Sequence, residues 1–354
     1  MQKRFLILTA SYGTGHNAAA NTLKSYIEDR GDIFEKIDLT DLLKKGGDNS
    51  RKFYAFTEKV PFIWDATFNL LDQEFTNELL DIIFKSIYQK KFNEIVDSFN
   101  PDYIICTFPN WPAFIRNYCK TNEKTFRTAV IVTDSIEIGM PWYYGKEIID
   151  DFFVIDKWSK EVFISKFINN DYKDNVHVSF FPLEEKYFTD KEIIGNKKIL
   201  ILLTGLKKTF CLKLFEQLKN EEFYDEILVI KGRNDSLYKI IKEKFESSNI
   251  RFTEFVKIKE ILKDYDIFIA KPGGTIMCEC IASDVPLISP SFIPGQEEGN
   301  IELITKENVG IYESNAEKII YYLKFLDFSR FLPNFKKIKK VDSVKFIIDT
   351  IESK

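Results

Sequence analysis

Only two histidines occur in the 354 residues, and one of them stands where an imidazole can act on a ligand. His16 ends the segment Ser11-Tyr12-Gly13-Thr14-Gly15-His16, between an apolar run, Arg4–Ala10, and a helical stretch, Asn17–Ile27. Glycines such as Gly15 let the backbone turn tightly and come close to a ligand. The positive end of the following helix disfavours a protonated imidazole. A neutral His16 there can take a proton from a hydroxyl; the plainer reading is a capping or packing residue. Asp134 follows the apolar run Thr128–Thr133 and is the second candidate base, a weaker one while its pKa stays near the ordinary value of about 4. His177 lies inside a β-like run and reads as structural. Position 18 is Ala, so the spacing is not the Gly-x-Gly-x-x-Gly of dinucleotide folds, and no nicotinamide cofactor is indicated.

A second constellation lies in the other half. Pro272, Gly273, Gly274 and Thr275 end an apolar run and open the helical stretch Ile276–Ser283. Two glycines followed by helix N–H groups suit a diphosphate. Glu279 falls one turn beyond Thr275 on the same face, where its carboxylate can accept both hydroxyls of a ribose diol. The next strand-to-helix segment, with Gly295, Gln296, Glu297 and Asn300, offers polar groups for hexose hydroxyls. Asp264-Tyr265-Asp266 has the Asp-x-Asp spacing of some metal sites but leads directly into a strand. With no zinc-like cluster either, no metal is expected.

Positioning such loops takes strands. Near-continuous apolar runs are expected as strands at Arg4–Ala10, Asp102–Thr107, Thr128–Thr133, Asp151–Ile155 and Val176–Phe180. In the second half they are Lys198–Leu203, Glu226–Lys231, Arg251–Val256, Asp266–Ala270 and Pro286–Ser289. Helical stretches separate them, which means parallel sheets covered on both faces. The expected fold class is α/β with two Rossmann-like domains, 1–185 and 186–334, facing a cleft lined by strand-to-helix loops. Residues 335–354 would form a C-terminal helix crossing back to the first domain.

Composition narrows the classes further. Fifty Lys and Arg against 54 Asp and Glu give a net charge of −4, which offers no general attraction to nucleic acid. Five scattered cysteines without a Cys-x-x-Cys pair read as reduced thiols in a cytosol. The N-terminal run reads as a strand rather than a signal peptide, and nothing is long enough to span a bilayer. Basic and aromatic residues mix between Lys44 and Tyr88. Lys52, Tyr54, Phe62 and Trp64 are candidates for a shallow contact with anionic headgroups and a lipid acceptor, the alternative being packing within the first domain. Phe335–Lys340 is a second, smaller basic segment.

Taken together, several segments resemble the glycosyltransferase family of plant monogalactosyldiacylglycerol synthases and bacterial processive diacylglycerol glucosyltransferases. More distantly they resemble the N-acetylglucosaminyltransferase that makes lipid II. The carriers are SYGTGHNAAA at 11–20, YAFTEKVPFIWDATF at 54–68, VTD at 132–134, KGRNDSLY at 231–238, KPGGTIMCECIASDVPLI at 271–288 and PGQEEGN at 294–300. The resemblance implies a GT-B fold and an inverting transfer from a UDP-sugar, UDP-glucose or UDP-galactose. It implies that Glu279 binds the ribose, that the backbone at Phe255 and Val256 binds the uracil, and that Gln296 and Glu297 contact the sugar. Gly232 and Arg233 would lie close to the donor. The family's glycine loop at the start of the second domain is here Leu203–Lys208, keeping Gly205 and gaining two lysines. Where relatives carry a histidine after the VTD aspartate, this chain has Gly139, and Trp142 is kept.

The expected function is therefore transfer of a hexose to diacylglycerol, by a cytoplasmic protein docked on the inner face of the cell membrane. A polyprenyl-linked or other lipid acceptor, a non-catalytic nucleotide-sugar-binding protein and a GT-B epimerase are the alternatives.

Overall fold

The computed structural model describes residues 2–11, 15–42, 88–135, 138–167, 170–191, 197–294 and 297–353. Their Cα positions divide the chain into two compact units. One is Met1–Glu184 with Ile293–Gly299 and Asp342–Lys354; the other is Glu185–Phe292 with Asn300–Val341.

In the first unit, β1 (Arg4–Thr9), β2 (Ile33–Asp38), β3 (Tyr103–Cys106), β4 (Arg127–Ile131), β5 (Asp151–Val154) and β6 (Val176–Val178) form one sheet. Its order is β2-β1-β3-β4-β5-β6, every pair parallel. In the second, β7 (Lys197–Leu202), β8 (Tyr224–Ile230), β9 (Ile250–Thr253), β10 (Ile267–Ile269), β11 (Leu287–Ser289) and β12 (Gly310–Tyr312) are ordered β12-β11-β10-β7-β8-β9. These pairs too are all parallel. Counted from β7, that is the 3-2-1-4-5-6 order of a doubly wound dinucleotide-binding sheet. Each unit is thus a Rossmann-like α/β body, the arrangement of a GT-B fold.

Ten of these strands coincide with the apolar runs of the sequence; β2 and β12 do not. Both are edge strands. β2 reads IFEKID and none of its residues is fully buried, so it lacks the continuous apolar character of a central strand. β12 has three residues and begins with Gly310, where a Cβ would stand 2.4 Å from the Leu287 carbonyl oxygen. Side-chain patterns therefore could not mark it.

Alternation along β1 divides the first core in two. Phe5 and Ile7 face α1 (Gly15–Asp29), meeting Ala20, Leu23 and Ile27. Leu6 and Leu8 face the opposite layer, with Phe92 of α2 (Gln89–Phe99) and with Trp111, Phe114 and Ile115 of α3 (Trp111–Cys119). α4 (Lys157–Phe167) follows β5. In the second unit α5 (Lys208–Leu218) and α6 (Asp235–Phe245) share a stacked pair, Phe215 and Phe245, with centroids 5.7 Å apart. α7 (Gly274–Ala282), α8 (Glu298–Lys306), α9 (Ala316–Phe325) and α10 (Leu332–Ile338) complete the crossovers.

The last helix, α11 (Ser343–Glu352), belongs to the first unit. Val344, Ile347, Ile348 and Ile351 enter the cluster of Phe5 and Ile7, and Glu352 pairs with Lys3 at 2.9 Å and Arg30 at 2.8 Å. Truncating Ile348, which is fully buried, leaves a cavity in that layer. Ile348→Ala should lower stability by about 2–5 kcal/mol in chemical denaturation. A loss below about 0.5 kcal/mol would mean that α11 is an appendage and not part of the first core.

Candidate functional site

Parallel strands deliver all their following loops to one edge of a sheet, and the candidate groups of the first unit collect there. His16 is the second residue of α1, after β1. Its Nδ1 lies 2.9 Å from the Thr107 carbonyl oxygen, after β3, and 3.0 Å from Thr133 Oγ1, after β4. A carbonyl can only accept, so Nδ1 carries the hydrogen. The lone pair of the neutral ring is then on Nε2. Thr107 Oγ1 donates back to the His16 carbonyl at 3.1 Å, which fixes backbone and ring together. Phe108 meets the ring edge-on at 4.9 Å and Trp142 lies 5.9 Å away.

Burial behind these rings pushes the His16 pKa below its ordinary value, although the charge of Asp134 and the bond to Thr107 pull the other way. The imidazole is therefore neutral at pH 7. Burial raises the Asp134 pKa, opposed by the His16 charge and by Trp142, whose Nε1 donates to Oδ2 at 2.8 Å. Trp142 ends a short 3-10 turn capped by Gly139. Thr107 and Thr133 were not singled out by the sequence reading. Their signal is positional, since each stands just past an apolar strand whose register brings it beside His16.

In the second unit the loops after β7, β8 and β10 interlock. Gly205 has φ +76°, and a Cβ there would stand 2.8 Å from Lys271 Cδ; the lysine stem crosses directly over it. Gly232 has φ +59°, and a Cβ would fall 2.0 Å from Thr204 Oγ1. That hydroxyl accepts the Arg233 N–H at 3.0 Å. Only glycine fits at either point. Gly273 precedes α7 and Gly274 and Thr275 open it, without an acidic residue in the first turn. α5 likewise starts with Lys207 and Lys208 at its positive end, both exposed, a placement that an anion would relieve.

Glu279 is no surface helix residue. It is buried on α7, and among the described residues its carboxylate accepts no hydrogen bond. Burial raises its pKa to about 7, against the partial opposition of Lys259. Thr275 Oγ1 and Asn300 Oδ1 are likewise buried without a partner among the described residues.

The remaining candidates are placed as follows. Asn300 donates through Nδ2 to the Pro272 carbonyl at 2.8 Å, so its amide braces the glycine loop. Glu297 is also buried, and its Oε2 accepts the Ile293 N–H at 2.7 Å. Phe255 is 80% exposed beyond β9, next to half-buried Val256, with its carbonyl accepting from Thr253 Oγ1. Gly15 opens α1. Gly295, Gln296, Lys52, Tyr54, Phe62 and Trp64 lie outside the described residues.

Two smaller sequence features resolve into scaffolding. Asp266 of the Asp-x-Asp segment accepts Lys198 N–H at 2.9 Å and pairs with Lys191 at 3.0 Å. In the basic segment, Phe335 is fully buried and Lys339 pairs with buried Asp284 at 2.9 Å, so this is not an inserting element. Among the described residues no helix is long and apolar enough to cross a membrane, and no group of three or more His, Cys, Asp or Glu is placed to hold a metal ion.

Two doubly wound sheets of this kind define the GT-B fold class. Residues 16–194 match the sequence model of the family described as monogalactosyldiacylglycerol (MGDG) synthase, and the chain belongs to that family. It is 24% identical to the processive diacylglycerol beta-glucosyltransferase of Bacillus subtilis (strain 168), over 99% of this chain and 94% of the relative. The enzyme of the same name from Bacillus licheniformis is 26% identical, over 90% and 85%. Among solved structures, the S. aureus MnaA–UDP co-structure superposes with a TM-score of 0.65 at 10% identity, covering 99% of this chain and 96% of that one. Acinetobacter baumannii MurG gives 0.64 at 11% identity, covering 99% and 100%.

The Glu279 environment has a consequence for stability. A folded-state pKa of about 7, above the ordinary carboxylate value, means that folding favours the protonated form. Stability without ligand should fall as pH rises towards and through 7. Glu279→Gln removes that penalty, so its advantage over the parent should grow from pH 5 to pH 8 by up to about 3 kcal/mol. Parallel stability curves across that range would show that Glu279 ionises like an exposed carboxylate.

Proposed function

We propose that this chain transfers a hexose from a UDP-sugar to diacylglycerol with inversion at the anomeric carbon. The observation that carries the donor half is Glu279, a carboxylate buried on the glycine-opened helix α7 that accepts no hydrogen bond among the described residues. A ribose diol supplies two donors of the right kind, and the ends of α5 and α7 with Lys207, Lys208 and Lys271 supply positive charge for the diphosphate. In this reading the leaving diphosphate is stabilised by these groups, without a metal ion. Phe255 and Val256 would flank the uracil and Gln296 the sugar. The acceptor half rests on the family and on relatives named for diacylglycerol transfer.

The reaction is a single displacement. The lipid hydroxyl oxygen bonds to the anomeric carbon while the bond from that carbon to the diphosphate oxygen breaks, and the hydroxyl proton passes to His16 Nε2. Asp134 then stabilises the imidazolium, since its charge is the strongest influence raising the His16 pKa. Burial narrows the difference in basicity between His16 and Asp134, and the choice of His16 rests on its lone pair at Nε2 while one oxygen of Asp134 is held by Trp142.

Three measurements test this. UDP-glucose and UDP-galactose are offered with diacylglycerol and with a polyprenyl phosphate, and the products are resolved by mass spectrometry; a hexosyl-diacylglycerol is expected. UDP release without a lipid product in either case would leave only a binding or hydrolytic protein. Glu279→Ala should weaken UDP binding by about 1–3 kcal/mol in calorimetry, and unchanged affinity in a folded variant removes Glu279 from the site. His16→Ala should cut turnover by about 10²–10⁴ with UDP affinity unaltered. If instead Asp134→Asn abolishes turnover while His16→Ala keeps it, Asp134 is the base.

A further inference from the structure

Asp38 ends β2, the edge strand whose side-chain pattern gave no signal. The parallel register sets it beside Thr9, the last residue of β1. Its carboxylate accepts four hydrogen bonds. Two come from Thr40, through N at 2.9 Å and Oγ1 at 2.7 Å. The other two come from Ser11, through N at 3.1 Å and Oγ at 2.5 Å. Ser11 Oγ in turn accepts Asn17 Nδ2 at 2.8 Å. Ser11 precedes the glycine segment and Asn17 directly follows His16, so this chain of bonds joins the two ends of the loop that carries the imidazole.

We propose that Asp38 is a positioning residue for His16, acting through Ser11 and Asn17 to hold the start of α1 against the end of β1; this rests on the assignment of His16 as the base. The carboxylate suits that task better than a neutral side chain, because it can accept from the Ser11 N–H and hydroxyl at once and needs no hydrogen of its own. Burial alone would raise its pKa, but the bonds from Ser11 and Thr40 outweigh it and hold the group below the ordinary carboxylate value, so it remains charged wherever His16 is neutral. The Thr40 bonds tie the same carboxylate to the chain beyond β2. The link to His16 is therefore anchored to the sheet at one end and to α1 at the other.

The test uses the full chain with Asp38→Asn, Ser11→Ala and the double variant. Asn keeps the shape of Asp38 but leaves the Ser11 hydroxyl proton without its charged acceptor, and Ser11→Ala cuts the link to Asn17 from the other side. Each single change should lower kcat about tenfold with KM for the UDP-sugar within twofold, and the double variant should be no worse than the weaker single one, because one link is being cut twice. With only two histidines in the chain, imidazole NMR supplies a second readout. In both variants the His16 titration midpoint should rise as water reaches the ring. Wild-type kcat and an unmoved His16 signal in both variants overturn the proposal. If His16→Ala itself retains turnover, the base assignment fails, and the NMR midpoint alone decides whether Asp38 positions the ring.

Discussion

Strand direction is the constraint on which the rest depends. In an all-parallel sheet each strand must be followed by a crossover, so every strand-to-helix loop emerges at the same edge. In the second sheet the order reverses between β7 and β10, and the crossovers on either side of that point go to opposite faces. A gap opens there beyond the carboxyl ends of the strands. Thr204, Gly205 and Lys271 stand at it. In the first sheet the loops after β1 and β3 hold His16 and Thr107 in the same relation. The same topological solution thus appears twice in the chain, once at the candidate base and once at the candidate phosphate loop.

Burial does the chemical tuning in both units, and it does so from opposite sides. Taking an imidazole out of water disfavours its cation and lowers the pKa of His16; taking a carboxylate out of water disfavours its anion and raises that of Glu279 to about 7. Neither shift helps the protein without ligand. A desolvated histidine and, among the described residues, a buried glutamate without a donor both cost stability. Such costs persist where a bound group recovers them, as the hydroxyls of a sugar nucleotide and an acceptor would.

The sequence showed most of the fold because the eight central strands must be apolar on both faces, and two of the four edge strands, β6 and β9, also read as β-like runs. It failed at β2 and β12 for one physical reason. An edge strand has one neighbour and an exposed flank, so its side chains need not be apolar and its hydrogen bonds leave no mark in composition. The site was legible where backbone demands a residue type. Gly205 and Gly232 are glycines because a Cβ would strike Lys271 or Thr204, and that requirement survives in the sequence. Residues that act through register were not legible. Thr107, Thr133 and Asp38 are ordinary polar residues at strand ends, and only the pairing of β1 with β2 and β3, and of β3 with β4, reveals what they touch. For Asn300 the type was informative and the direction was not, since an amide suited to sugar hydroxyls spends its Nδ2 on the Pro272 carbonyl.

That last contact helps to shape a candidate phosphate loop that has few glycines. A glycine-rich cradle holds an anion with backbone N–H groups, and its shape comes from conformational freedom, which has an entropic cost on folding. Here the loop after β7 retains one glycine, and the shape is imposed from outside. Lys271 lies over Gly205, Ser291 Oγ donates to the Gly205 carbonyl at 3.1 Å, Thr204 holds Arg233 N–H, and Asn300 holds Pro272. These contacts link the segments that follow β7, β8, β10 and β11 into one unit. Positive charge is added by Lys207 and Lys208 at the start of α5, where the helix dipole already points its positive end. Two cations at that end repel the dipole until an anion arrives. If this loop holds the diphosphate as proposed, the two lysines make part of the attraction ionic, and the affinity should depend on ionic strength more than that of a loop built on backbone N–H groups alone.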